Sequence, residues 1–95
     1  MLTFILKKEW FEKIKRGEKT VEYREMTGYW GKRIANFVIN SNESRLIQFR
    51  LGYTKKTLLA EVTEIVPMMG DDTDLKIQKM VFAIHFRLVT KRRAK

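Results

Sequence analysis

A lysine, a glutamate and an arginine stand at positions 19, 22 and 24, inside the stretch Gly17-Glu18-Lys19-Thr20-Val21-Glu22-Tyr23-Arg24. An acid and two bases around one pocket mouth can hold a polar ligand through charge-assisted hydrogen bonds, which are about twice as strong as neutral ones. Thr20, Val21 and Tyr23 favour extended backbone, so the residues after Gly17 are expected to form a strand. Alternate side chains of a strand share a face, which puts Glu22 and Arg24 on one side. Lys19 has the opposite parity and joins them only from the turn before the strand. The same spacing also fits a solvated Glu-Arg pair on the surface of a basic protein, since paired charges often have a purely structural role.

Placing Lys19 on that turn requires an element that stops at Gly17. The pattern gives a helix from about Lys8 to Arg16, with Trp10, Phe11 and Ile14 on one apolar face. No Ser, Thr, Asp or Asn caps its start. Its end is well marked, because Lys13, Lys15 and Arg16 suit the negative end of the helix dipole and Gly17 suits the left-handed cap position. Trp10 is expected in the core rather than as a base-stacking platform. Before the helix, the apolar run Leu2 to Leu6 reads as a buried first strand.

The motif Gly17-x-Lys19-x-x-Glu22-x-Arg24 resembles the signature of the ASCH domains, small relatives of the PUA fold. Phe4-Ile5-Leu6-Lys7 and Trp10-Phe11-Glu12-Lys13-Ile14 resemble that family's first strand and helix, and Tyr29-Trp30 follows the motif in a similar way. The resemblance implies a PUA-like, partly closed β-barrel, and for the wider family RNA association. Some ASCH-type proteins are similar small amidohydrolases acting on acylated cytidine. For them the resemblance implies a reactive lysine, which Lys19 matches, with Glu22 activating water or shuttling a proton. Those hydrolases carry a hydroxyl residue where this chain has Glu22, and a catalytic acid in a longer segment than the Met68 to Lys79 available here. A metal-independent ribonuclease is a third activity seen among ASCH-like proteins, with no acid-base pair marked in this chain.

Beyond the motif, Met26 to Ile34 suits a helix of one or two turns capped by Thr27, weakened by Gly28 and Gly31. Asn36 to Asn40 contains Phe37, Val38 and Ile39 and reads as a third strand, followed by a turn at Ser41 to Ser44. Leu46 to Leu51 and Thr57 to Val66 read as strands joined by the basic loop Gly52 to Lys56. Glu64 interrupts the apolar side of the second, which suggests a bulge or emergence at a sheet edge, and Pro67 is expected to end it. Met68 to Asp74 reads as an exposed acidic loop turning at Gly70, with Thr73 or Asp74 capping one helical turn through Met80. Val81 to Val89 closes the chain's structured part as a last strand. The whole is an α+β domain of five to six strands with one or two short helices.

Ninety-five residues with 44% hydrophobic and 33% charged side chains suit one domain, residues 1–90, followed by a basic tail at 91–95. The net charge is +9; Lys91, Arg92, Arg93 and Lys95 carry four of those charges, leaving +5 on the rest. An excess of that kind suits a polyanion partner, because each phosphate neutralised releases counterions. The expected partner is single-stranded RNA or a nucleotide. Lys19, Glu22 and Arg24 would form the cleft, while Tyr29, Lys32, Arg33, Arg50, Lys55 and Lys56 form the surrounding surface. Tyr29 and Arg33, four apart, share a helix face on which aromatic and basic groups interleave.

Cysteine is absent and His85 is the single histidine, so no cofactor or metal is expected. Asp71, Asp72 and Asp74 lack the twelve-residue ligand spacing of a calcium loop. Gly28 and Gly31 lack the context of a phosphate-binding loop, and Ser41 and Ser44 lack that of an activated nucleophile. The apolar run at the N-terminus is too short for a signal peptide or membrane span, so the expectation is a cytoplasmic protein with no membrane partner.

Overall fold

The computed structural model describes residues 2–40, 44–73 and 75–89. The basic tail, the Ser41 to Glu43 part of the expected turn and Asp74 lie outside the described residues. Among those described, the chain forms an α+β fold in the order β1 (Leu2–Leu6), α1 (Lys8–Lys15), β2 (Val21–Glu25), α2 (Gly28–Ile39), β3 (Leu46–Leu51), β4 (Thr57–Met69) and β5 (Met80–Leu88). No helix among the described residues is long and apolar enough to cross a membrane.

The strands make one five-stranded sheet in the order β1-β3-β4-β5-β2, curled into a half-barrel. β1 runs parallel to β3, and the other neighbours are antiparallel. β1 and β2 are the two ends of this order, yet the Arg24 guanidinium of β2 lies 5.1 Å from the Phe4 ring of β1. The curl therefore brings the two free edges together across the concave side. Phe4, Phe49, Ile47 and Ile84 fill that interior with no exposed surface, and α1 adds Phe11 and Ile14 to it.

The structure corrects the expected third strand at Asn36 to Asn40. Those residues belong to α2, whose last helical residue is Ile39. Phe37, Val38 and Ile39 are apolar and two of them β-branched, so local propensity favours extension. Helical periodicity wins because Trp30, Ile34 and Phe37 fall on one stripe and all pack against the core. Val38 and Ile39 are left 53% and 73% exposed, which a core strand would not allow. Thr27 caps the helix as expected, its Oγ1 accepting from the Trp30 amide at 3.2 Å. Gly28 and Gly31 cost about 1 kcal/mol each against alanine, but tertiary burial of the stripe carries the helix past two turns.

Pro67 does not end β4 but pairs with Phe82 inside it. β3 covers β4 only between Thr57 and Glu61, so Pro67 lies where β4 is an edge toward that side and its missing N–H removes no ladder bond. The register shifts between Val62 and Glu64, a bulge next to the glutamate that interrupts the apolar pattern. The expected helical turn leading to Met80 is also corrected. A 3₁₀ turn spans Gly70–Asp72 instead, and the buried Thr73 hydroxyl donates back to the Gly70 carbonyl at 2.7 Å. Met68 and Met69 belong to β4, and Gly70 is buried rather than at an exposed loop tip. A Cβ on Gly70 would sit 2.5 Å from Ile77 Cγ1 and 2.7 Å from the Ile77 carbonyl oxygen, so only glycine lets the returning segment close.

Candidate functional site

Lys19 is placed by the way α1 stops. Gly17 takes φ +80°, the left-handed conformation that favours glycine. The Glu18 amide donates to the Lys13 carbonyl at 2.9 Å and the Gly17 amide to the Ile14 carbonyl at 3.0 Å, the paired bonds of a Schellman cap. This turn projects Lys19 toward the start of β2, from a position where strand parity does not apply. β2 then pairs with β5, with Glu22 opposite Ile84 and Arg24 opposite Phe82, so both charged side chains stand on the face of the sheet that the core occupies.

The three charges meet. Arg24 donates from Nε and Nη2 to Glu22 Oε2 at 3.0 and 2.5 Å. Lys19 Nζ lies 3.7 Å from the other oxygen, Oε1. The side chains of Lys19 and Glu22 retain only 10% and 7% of their exposure. Removing the shared carboxylate would leave two like charges facing each other in a buried site, a change that costs about 3–5 kcal/mol.

Aromatic rings hold both cations from their outer sides. The Lys19 ammonium is 5.0 Å from the Tyr23 ring and 5.3 Å from the Trp10 ring. The Arg24 guanidinium lies 5.0 Å from Trp30 and 5.1 Å from Phe4, which stack on each other at 5.1 Å. Each desolvated cation–π contact adds up to about 2 kcal/mol. Around this cluster lies an open cleft of about 490 Å³, bounded by Leu6 and Lys7 of the β1 end, Trp10, the β2 residues Glu22 to Glu25, and Leu75 with Ile77. That volume lies in the range of small-molecule pockets. At its rim Lys79 reaches Glu25 at 3.3 Å. Two cations against one carboxylate leave the inner cluster with an excess positive charge, while the Glu25 carboxylate of the same wall pairs with Lys79. Such a wall can take an anionic or acceptor-rich ligand that also presents an N–H group.

The other residues expected at the site are spread more widely. Tyr29 and Arg33 stack on α2, and Tyr29 touches Trp30, the ring that faces Arg24. Arg33 itself lines a different cavity, and Lys32 is exposed on the same helix. Lys55 and Lys56 are exposed on the β3–β4 turn, which is tied to β1 by the Gly52 amide donating to the Leu6 carbonyl at 2.8 Å. Arg50 is half-buried on β3 beside Ile5 and Thr57, with a buried Nε that has no hydrogen-bond partner among the described residues.

Trp10, Tyr23, Glu25, Leu75 and Ile77 line the cleft without having been expected there. Trp10 packs against the core, as expected, and its ring also faces Lys19. The signal for Trp10 is its place one helical turn before Lys13, whose ammonium is also 5.0 Å from the ring. Leu75 and Ile77 carry no comparable signal. Among the described residues no three His, Cys, Asp or Glu side chains group as metal ligands.

No family model matches the chain, and the comparisons with curated proteins and with solved structures give no match either.

Proposed function

We propose that this chain is a PUA-like RNA-binding domain of the ASCH type, whose cleft receives one unpaired nucleotide. The observation that carries the reading is the convergence of Lys19, Glu22 and Arg24 on one cleft, since these are the motif positions of the resemblance. In this reading Lys19 and Arg24 donate to phosphate or base acceptors, and Glu22 accepts from an exocyclic amine while orienting Arg24. Trp10 and Tyr23 supply flat apolar surface beside the base. Single-stranded RNA suits such a pocket because its bases can be splayed out and stacked on aromatic or guanidinium planes. The positive charge of the chain outside its tail supports the same choice of partner.

The test is a salt titration of single-stranded RNA binding with the chain shortened by residues 91–95. Retained binding that falls steeply with salt is expected, because phosphate contacts dominate such complexes. Loss of all binding at low salt would reduce the attraction to the tail.

The Lys19–Glu22 contact also suits the amidohydrolase alternative, as a lysine beside an acid that can move a proton. Incubation with a panel of acylated cytidine nucleosides separates the two. Little or no release of acid is expected; rapid turnover that disappears in Lys19→Ala but persists in Lys56→Ala would make the chain a hydrolase.

A further inference from the structure

The cation–aromatic contacts continue past the cleft along α2. Beyond Arg24 and Trp30, the Tyr29 ring meets Trp30 edge to face at 5.2 Å and 81°. The Arg33 guanidinium then lies 3.5 Å from the Tyr29 ring centre, while its Nη1 donates to the Tyr29 carbonyl at 3.2 Å. Arg33 in turn lines a second open cavity, of about 530 Å³, together with Asn36, Asn40, Ser44 and the apolar Leu2 and Phe37. An unbroken series of guanidinium and aromatic groups therefore connects the two cavities, with no contact in the series longer than 5.2 Å.

The second cavity has the chemistry of a nucleotide site rather than of a purely apolar pocket. Asn36 and Asn40 each carry a donor and an acceptor on one side chain, the combination that complements a base edge; Asn40 Nδ2 already donates to the Asn36 carbonyl at 2.9 Å, which leaves its second N–H and its Oδ1 for a ligand. Arg33 offers both a phosphate donor and a planar surface, one face of which is already fixed on Tyr29. Leu2 and Phe37 add apolar surface for a ring. A helix-surface pair four residues apart explains the Arg33–Tyr29 contact by itself. It does not explain why that contact bridges the Arg24 cluster to a polar-lined cavity.

We infer that this second cavity is a further nucleotide subsite, and that one RNA strand held in the Glu22 cleft crosses Tyr29 and Arg33 to reach it. The inference rests on the RNA-binding reading of the cleft. It assigns Tyr29 and Arg33 as the stacking bridge, and Asn36 and Asn40 as the groups that read the second base.

The experiment measures affinity of the full chain for UMP and for oligouridylates up to about eight nucleotides, inside the range of single-domain site sizes. Affinity is expected to rise with length until both cavities are filled, at about four nucleotides. Tyr29→Ala and Arg33→Ala are expected to weaken the tetranucleotide roughly tenfold, the scale of one lost stacking contact, and to remove most of the gain in affinity from UMP to the tetranucleotide. Arg33→Lys keeps the charge and loses the plane, so it should fall nearly as far; Tyr29→Phe keeps the ring and should bind normally.

Tyr29 is 58% exposed, and Arg33→Lys offers a second, milder variant should Tyr29→Ala fold poorly. UMP binding with no gain on lengthening overturns the second subsite and leaves the cleft standing. A gain that survives both alanine variants and Arg33→Lys does the same. No binding at any length in low salt removes the RNA-binding reading, and the bridge with it.

Discussion

Arg16–Glu18 and Glu22–Arg24 are two pairs of the same residue types at the same spacing, and each has a closest contact of 2.5 Å. The first straddles Gly17 at the surface, with side chains 52% and 55% exposed. In the second, Glu22 is 7% and Arg24 21% exposed, and a lysine and two pairs of rings close around it. The hydrogen bond from Arg16, and then its charge, hold the Glu18 carboxyl below its ordinary pKa, and Glu18 raises that of Arg16 in the same order of causes. Water screens the surface pair, and such pairs contribute little. Contact length is therefore no guide to consequence. What separates the two regions is desolvation, which makes a missing partner around Glu22 expensive.

Removing a partner on each side breaks the comparison most directly. Arg24→Leu removes the charge-assisted bonds to Glu22 but leaves the buried carboxylate with Lys19 at ion-pair distance, and should lower unfolding free energy by about 1.5–3 kcal/mol in urea titrations. A loss under about 1 kcal/mol would place Glu22–Arg24 in the same class as the surface pair. Gly17→Ala tests the turn that separates the regions. A Cβ there meets open space, so the cost comes from φ +80° alone and should be about 1–2 kcal/mol. Because the same turn presents Lys19, RNA affinity should fall with it.

The smallest effect belongs to Glu18→Gln, whose thermal midpoint at neutral pH should lie only slightly below that of the parent chain. Since Glu18 titrates lower in the folded chain than in the unfolded one, its contribution is present above the ordinary carboxylate range and fades as pH falls through the folded value. The parent and the variant should converge at acid pH, and a variant less stable than the parent at low pH would contradict this.

Much of the frame could be read from residue types alone. Gly17 after a run of basic residues marked the end of α1, and the alternation in Leu46 to Leu51 and Val81 to Val89 marked β3 and β5. Local pattern misled where tertiary packing decided. Phe37-Val38-Ile39 has strand propensity, but its helical register with Trp30 and Ile34 emerges only when the core is in place. Pro67 looked like a stop because sequence does not tell where β3 ceases to cover β4.

At the cleft, parity put Glu22 and Arg24 on one face and the turn brought Lys19 to them. Parity also put Tyr23 on the opposite face, yet its ring lies 5.0 Å from Lys19 at the cleft wall. The meeting of edge strands β1 and β2 depends on the curl of the sheet, and the Leu75–Ile77 wall on the closure at Gly70. Neither leaves a periodic signature in the chain.

Glu22 is proposed to serve a ligand as well as the fold, and Glu22→Gln separates the two roles. Binding isotherms across a salt series, with denaturant melts on the same protein, give both readouts. A ten- to hundredfold loss of affinity for the preferred single-stranded RNA is expected, from about 1.5–3 kcal/mol of charge-assisted contact. The salt slope should stay unchanged, because the carboxylate contacts no phosphate, while Lys55→Ala and Lys56→Ala should each reduce that slope. A lowered melting midpoint with affinity unchanged, or tightened by removal of a negative charge, would make Glu22 part of the scaffold alone.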